Sequence, residues 1–346
     1  MSLDAFLGSD EVKAQLLGQL HSGSWPHSLL ILGENGCGRG FFARLLAAEV
    51  LAADPAAQDG AARARRVLEG ADPDCIEVEG EGVSGQIRVD RIREVRTEAQ
   101  QTSLSGSRRV VILYNAQDMN PAAANALLKI LEEPPEGVCF LLTAESAASV
   151  LPTVRSRCQS VRLLAPAPAV CEGLLRKNGV ATADAAHLSA VWDGCVGSAL
   201  ACTRPARRAL FETAEALCRC IAAGDEYRMM QLFLPYEKAK QPKEEDEDGP
   251  AAPVRAAAPL RGKADAAPDD PAAAFSVRRQ LQTVLEDAVQ ILRGSLAGRD
   301  SCGVSAAQAV PAVEAIRAAM HRLAGNGNPK LILTLLSLQL AGVGTA

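Results

Sequence analysis

Leu29-Leu-Ile-Leu-Gly-Glu-Asn-Gly-Cys-Gly-Arg-Gly40, running on into Phe41 to Leu51, is the stretch that decides the fold. Four apolar residues read as a buried strand, Gly33 to Gly40 as a glycine-rich turn, and Phe41 onward as a helix. That order is the context of a nucleotide phosphate-binding loop, whose backbone N–H groups and helix N-terminus cradle an anion. A working loop ends in Gly-Lys-Ser/Thr, whereas this one ends in Gly38-Arg39-Gly40. Arg39 keeps a positive charge, but its planar fork is no substitute for a compact ammonium. Gly40 removes the hydroxyl that holds magnesium. Gly33, Gly36, Gly38 and Arg39 are the candidate anion-binding positions, and a bare turn with no ligand is the competing reading.

Outward from this loop, apolar runs alternate with helical patterns. Candidate strands are Leu29–Leu32, Cys75–Val78, Val110–Leu113, Val138–Thr143 and Ser160–Leu163. Strands separated by helices indicate βαβ units and a parallel sheet. The uniformly apolar Val110–Leu113 suits a central strand. After it, Asn120 caps a helix that Pro121 opens and Pro134-Pro135 closes, with Ala124, Leu127, Leu128 and Leu131 as its apolar stripe.

The end of that central strand is Tyr114-Asn115. Hydrolytic relatives of such loops place Asp-Glu there, one carboxylate for magnesium and one to polarise the attacking water. Neither Tyr114 nor Asn115 is a carboxylate at any pH, and Asp118 lies four residues past Tyr114. Two independent losses therefore converge on the magnesium site. Hydrolysis by this chain is not expected, while nucleotide binding without hydrolysis stays open.

From Pro166 the pattern is helical only. Residues 166–204 are short segments interrupted by Gly173, Gly179, Gly194 and Gly197. Longer stripes follow: Leu210, Ala214, Leu217 and Ile221; Val277, Leu281, Val284, Leu285, Ala288 and Leu292; Val310, Val313, Ile316, Met320 and Leu323; and Leu331 to Leu340. These predict a helical bundle. It is interrupted at 238–274 by an acidic run (243–248) and Pro/Ala-rich sequence with too few large apolar residues to fold, so a disordered insertion is expected there.

The 346 residues suggest two or three domains, and a net charge of −5 argues against the chain as a whole being a basic nucleic-acid binder. Met1-Ser-Leu-Asp-Ala-Phe6 has no basic n-region or apolar core of a signal peptide, and no apolar run approaches the roughly 20 residues of a membrane span. A cytoplasmic location is expected. The ten cysteines lack CxxC spacing and read as small reduced core residues rather than metal ligands. Arg88, Arg91, Arg93, Arg96, Arg108 and Arg109 form a candidate DNA-contact cluster, with Glu94 and Glu98 balancing it in the alternative reading of a solvated face.

Asn125-Ala-Leu-Leu-Lys-Ile-Leu-Glu-Glu-Pro-Pro135, then Phe140-Leu-Leu, then Val154-Arg-Ser-Arg-Cys158, in this order and spacing, resemble bacterial clamp-loader AAA+ subunits. Trp25-Pro-His27, Pro73-Asp74, Ile87-Arg-Val-Asp-Arg-Ile-Arg93 and Asn326-Gly-Asn-Pro329 add to the likeness, which is strongest over residues 25–163. The damaged loop resembles the delta-prime branch of that DNA polymerase III family, rather than the tau/gamma branch with its intact Gly-Lys-Thr and Asp-Glu. Tau/gamma relatives also carry a four-cysteine zinc module in an interval that here, Ala52–Asp74, holds no cysteine, so no zinc is expected.

The resemblance implies an α/β P-loop AAA+ domain, a parallel sheet with flanking helices (1–163), then a small helical lid (164–206) and an all-helical collar (207–346). It implies a non-hydrolysing stator beside tau/gamma and delta subunits, helping to load the sliding clamp onto primed DNA. Polymerase (nucleotidyltransferase) activity would then be shared only by membership of the complex. It also implies that Arg157, with Ser156 and Cys158 as its motif, acts in trans on a neighbour's ATP. No cofactor of its own is firmly expected, and ATP or ADP at the loop stays open. An ATP-hydrolysing motor subunit and a plain scaffold are the rival readings. Gly194-Cys-Val-Gly-Ser198 resembles a nucleotide-sensing lid segment but carries no arginine, and Thr143 or Ala144 falls at the sensor position on the fourth strand.

Overall fold

The computed structural model describes residues 3–80, 86–101, 103–236, 277–299, 302–324 and 327–344. The expected insertion at 238–274 and Asn326 lie outside the described residues. The chain divides into two compact units, one reaching Pro166 and the other starting at Ala167.

In the first unit five strands form one wholly parallel sheet. They are β1 (Ser28–Leu32), β2 (Cys75–Val78), β3 (Arg109–Leu113), β4 (Val138–Ala144) and β5 (Gln159–Arg162), in the order β2-β3-β4-β1-β5. The helices are α1 (Asp10–His21), α2 (Arg39–Ala52), α3 (Gly60–Leu68), α4 (Val89–Ala99), α5 (Pro121–Glu132) and the single turn α6 (Pro152–Arg155). Every residue of β1, β3 and β4 is buried, which is why these strands read as unbroken apolar runs. Register aligns Ile31 with Thr143 and Leu113 with Leu142. The carboxyl ends of β1, β3 and β4 therefore lie together, the edge where open α/β sheets hold their ligands. The parallel α/β sheet with flanking helices, followed by a helical region, that the resemblance implies is the one the chain adopts.

Two local expectations are corrected. The fifth strand is Gln159–Arg162, one residue earlier than expected. Between β4 and β5 the chain forms a 3-10 turn, Ala147–Ser149, and the separate α6. Ser146 and Ser149 cap each other there, and Pro152 forces Leu151 into an extended conformation between the two. On α5 the buried stripe is Ala123, Ala124, Leu127, Ile130 and Leu131; Leu128 is only half-buried.

A buried ionic hub secures α3 to the sheet. Arg63, 1% exposed, donates from Nη1 to Asp54 Oδ2 at 2.8 Å and from Nη2 to Asp74 Oδ2 at 3.0 Å. Its Nε lies 3.7 Å from Asp72 Oδ2. Arg109 joins through Nη2 to Asp74 Oδ1 at 3.1 Å. Arg109 is thus a buried counterion, and Arg108 is tied to the same hub through its backbone N–H on Asp54. Arg109 therefore does not belong to a surface basic cluster, which corrects that grouping, while the Arg108 side chain is half-exposed.

The second unit is helical: α7 (Pro168–Lys177), α8 (Thr182–Val191), α9 (Val196–Ala201), α10 (Pro205–Ala223), α11 (Glu226–Phe233), α12 (Val277–Leu296), α13 (Ala306–Ala324) and α14 (Pro329–Gly344). α10 packs on α12, α12 on α13, and α13 on α14. Arg207 on α10 grips the buried Asp287 of α12 with both terminal nitrogens, Nη2 to Oδ1 at 2.6 Å, and lies over the Trp192 ring at 5.9 Å. On α13 the buried residues are Ala309, Ala312, Ile316, Ala319 and Leu323, whereas Val310 is 48% exposed. Ile316 and Leu323 of the expected stripe are buried, but Val313 and Met320 are only half-buried and alanines take their place in the core. Val277, expected in the core stripe of α12, is likewise exposed.

Candidate functional site

The loop after β1 is closed upon itself. Gly33 N donates to Ala144 O of β4 at 3.2 Å, fixing the loop's first residue to the sheet. Gly36 (φ 79°) and Gly38 (φ 91°) take left-handed conformations that side chains resist, so these two glycines shape the turn. A Cβ on Gly33 would lie 2.6 Å from the Cys37 sulfur, so Cys37 fills the space beneath it.

Arg39 is the first residue of α2 and the one basic residue of the loop. Its side chain turns inward and is buried. Nη1 donates to Gly33 O at 2.5 Å, and Nη2 donates to Asn115 Oδ1 at 3.3 Å. Asn115 stands at the end of β3 with φ 53°, and its N–H donates to Thr143 Oγ1 at 2.9 Å. The ends of β1, β3 and β4 are thus linked through Arg39, Asn115 and Thr143. Thr143 meets Asn115 through its side chain and Ala144 meets Gly33 through its carbonyl, so both of these residues of β4 touch the network.

Tyr114 and Gly40 close the far side. A Cβ on Gly40 would sit 3.2 Å from Tyr114 Cε1. The buried tyrosine lies beside Arg44 and Glu77, themselves joined by two hydrogen bonds at 2.9 and 2.6 Å. Burial, and after it the negative Glu77, push the phenol well above its ordinary pKa. Phe6, just after a 3-10 turn at Leu3–Ala5, packs over the loop: its Cε2 is 3.0 Å from where a Gly38 Cβ would be, and its ring meets Phe42 edge-on at 4.9 Å. Phe6 escaped sequence reasoning because no local pattern connects it with a loop about thirty residues away.

A magnesium nucleotide does not fit these residues. Gly40 offers no hydroxyl, Tyr114 and Asn115 offer no carboxylate, and the loop's cation is engaged with a carbonyl and an amide oxygen.

Arg157 has a different setting. Val154 is fully buried and Cys158 half-buried against the core, while Ser156 and Arg157 between them face solvent. Burial pushes the Cys158 thiol up to about 12, so it serves as a packing group. Arg157 Nη1 donates to Thr153 O at 2.9 Å and Ser156 Oγ at 3.4 Å, and Nη2 donates to Glu132 Oε1. Glu132 stood in the quoted motif without a role.

Of the basic cluster, Arg91 pairs with both Glu94 and Glu98 and Arg93 with Asp90, in line with a solvated, balanced face. Gly194 and Cys195 lie just before α9, in the second unit.

Residues 8–167 match the family model described as DNA polymerase III, delta subunit. Over 151 residues the chain is 38% identical to DNA polymerase III subunit delta' of Pseudomonas aeruginosa, covering 43% of this chain and 45% of that one. It therefore spans about half the length of that relative. Over 234 residues it is 30% identical to the delta' subunit of Escherichia coli K12, covering 65% of this chain and 69% of that one. It is also 34% identical over 187 residues to DNA polymerase III subunit gamma/tau of Mycobacterium bovis, covering 52% of this chain and 32% of the relative. With the parallel sheet, the strand–loop–helix at β1 and these relatives, the chain belongs to the DNA polymerase III delta-prime subunit family of clamp-loader-related proteins.

Proposed function

We propose that this chain is a delta-prime-type, non-hydrolysing subunit of a clamp loader that places the sliding clamp on primed DNA beside tau/gamma and delta subunits. Arg157 completes the ATP site of a neighbour, residues 164–206 serve as its lid, and residues 207–346 serve as the collar that joins the ring. The observation that carries this reading is the position of Arg39, whose guanidinium lies inside its own phosphate loop against Gly33 O and Asn115 Oδ1. The loop's cation is thereby withdrawn from any anion, while Arg157 remains partly exposed at the surface. An arginine acting in trans needs charge at the right place and no nucleotide in its own subunit. Such residues raise turnover by about 10³–10⁵-fold.

The test has two arms. Calorimetry with ATP on the isolated chain should give no heat in the micromolar range, and the chain alone should show no ATP turnover. In the reconstituted complex, Arg157→Ala should assemble normally and sharply reduce ATP turnover. Turnover by the isolated chain that disappears on Arg39→Ala would instead make it a motor subunit.

A further inference from the structure

The geometry points to Glu132 as the positioning residue for Arg157, an inference that rests on the trans reading above. Glu132 is the last residue of α5, a helix stiffened at its start by Pro121 and by Asn120 Oδ1, which accepts from Ala123 N at 2.7 Å. Its buried face holds it to the sheet through Ala123, Ala124, Leu127, Ile130 and Leu131. Glu133, next in line, precedes a proline that disfavours helical backbone, and with φ −129° and ψ 70° it ends the helix. The carboxylate is therefore set by a rigid element, not by a loop.

Arg157 comes from the turn after α6, 25 positions later in the chain. Unanchored, an exposed arginine samples many rotamers, and ordering it costs entropy at each encounter with a ligand. Here the planar fork meets acceptors on two sides. Thr153 O and Ser156 Oγ engage Nη1, and Glu132 Oε1 engages Nη2. Three acceptors fix the plane and heading of the guanidinium while 34% of the side chain stays exposed. Holding a charged group in place before the reacting phosphate arrives is where positioning contributes to rate. The same carboxylate partly neutralises the arginine, so the effect of its removal is a measurable balance with a definite sign: orientation outweighs competition.

The experiment uses the full complex with ATPase neighbours, clamp and primed DNA, and compares Arg157→Ala, Glu132→Ala, Glu132→Gln and the double variant E132A/R157A. Glu132→Ala is expected to lower kcat for ATP about fivefold, the upper end of what an exposed ion pair contributes, with KM for ATP unchanged. Glu132→Gln, whose amide oxygen still accepts from Nη2, should recover part of the loss. The double variant should be no slower than Arg157→Ala alone, because Glu132 acts only through Arg157. Unchanged turnover in Arg157→Ala would overturn the trans reading itself. Slow Arg157→Ala with normal or faster Glu132→Ala would overturn the role of Glu132 alone, as would losses that add in the double variant. Should Glu132→Ala fail to enter the complex, Glu132→Gln carries the same comparison.

Discussion

Gly40 and Tyr114 define each other: a Cβ at residue 40 would stand 3.2 Å from Cε1 and 3.4 Å from Cδ1 of the tyrosine ring. The residue that would carry the magnesium-binding hydroxyl and the residue that would carry the first carboxylate are thus lost together, and the ring uses the room that the missing side chain leaves. Tyr114 is hemmed in by the Arg44–Glu77 pair and has little freedom to retreat.

Gly40→Ala tests that contact. An ordinary glycine inside a helix gains about 1 kcal/mol of stability on becoming alanine. At Gly40 the added methyl should press on Tyr114 and give a loss instead, up to about 1–3 kcal/mol as in other overpacked cores. Urea denaturation of the two proteins decides between a gain and a loss.

The hub around Arg63 should be the most sensitive point of the first unit. Arg63→Met leaves Asp54, Asp72 and Asp74, whose side chains are fully buried, without their shared cation. Breaking one side of a buried ionic cluster costs about 3–5 kcal/mol. The expected result is a chain that melts well below the wild type, measured by circular dichroism at neutral pH.

The same hub predicts acid sensitivity. Burial acts to raise the carboxyls of Asp54 and Asp74, but hydrogen bonds override it. Ser107 and the N–H groups of Ala56 and Arg108 hold Asp54 below the usual carboxylate range, and Leu104, Ser105, Ser103 and Arg109 do so for Asp74. A depressed folded pKa contributes stability above the unfolded value near 4, and that stability is lost as pH falls toward the folded values. Denaturant midpoints of the wild type should therefore drop steeply below about pH 4, and Asp74→Asn should flatten the drop.

His187 reports on the second unit with the opposite sign. Its Nε2 lies 2.6 Å from Glu215 Oε1, linking α8 to α10, and this hydrogen bond raises the imidazole pKa against the effect of burial. A raised folded pKa contributes stability that is complete below the unfolded value near 6.5 and fades as pH rises through the folded value. The stability difference between wild type and His187→Gln should shrink from pH 6 to pH 8.5. A difference that stays constant would show that the contact is not charge-assisted.

The last helix offers a test of the collar proposal. Leu331, Leu335 and Leu338 are 64%, 48% and 52% exposed, and their spacing places them on one face of α14 opposite the buried Leu333, Leu336 and Leu340. Leu335→Glu should change the stability of the isolated chain by less than about 0.5 kcal/mol, as exposed substitutions do. Entry into the complex, followed by size-exclusion chromatography with the neighbouring subunits, should be lost.

Much of this was legible in the sequence because it depends on neighbours along the chain. Apolar runs gave the strands within a residue or so, Asn120 and Pro121 gave the start of α5, and the missing lysine, hydroxyl and carboxylates are plain from residue identity. Even there, alanine-rich α13 misled in part, since alanines are weakly hydrophobic and the larger Val310, Val313 and Met320 drew the stripe to one side of the buried face.

The sequence by itself determined that residues 33–40 form a phosphate-type loop without the usual ligands for magnesium, and that Arg157 stands in a Ser-Arg-Cys motif. Only the tertiary structure decided where these side chains point. Arg39 faces into its own loop because β3 delivers Asn115 to it across 76 positions. Tyr114 packs against Gly40, Phe6 covers Gly38, and Glu132 meets Arg157. Each of these contacts joins segments that no periodicity connects. A long charged or aromatic side chain takes its direction from the burial and hydrogen-bond partners around it, and those partners exist only once the parallel sheet has brought its strand ends together.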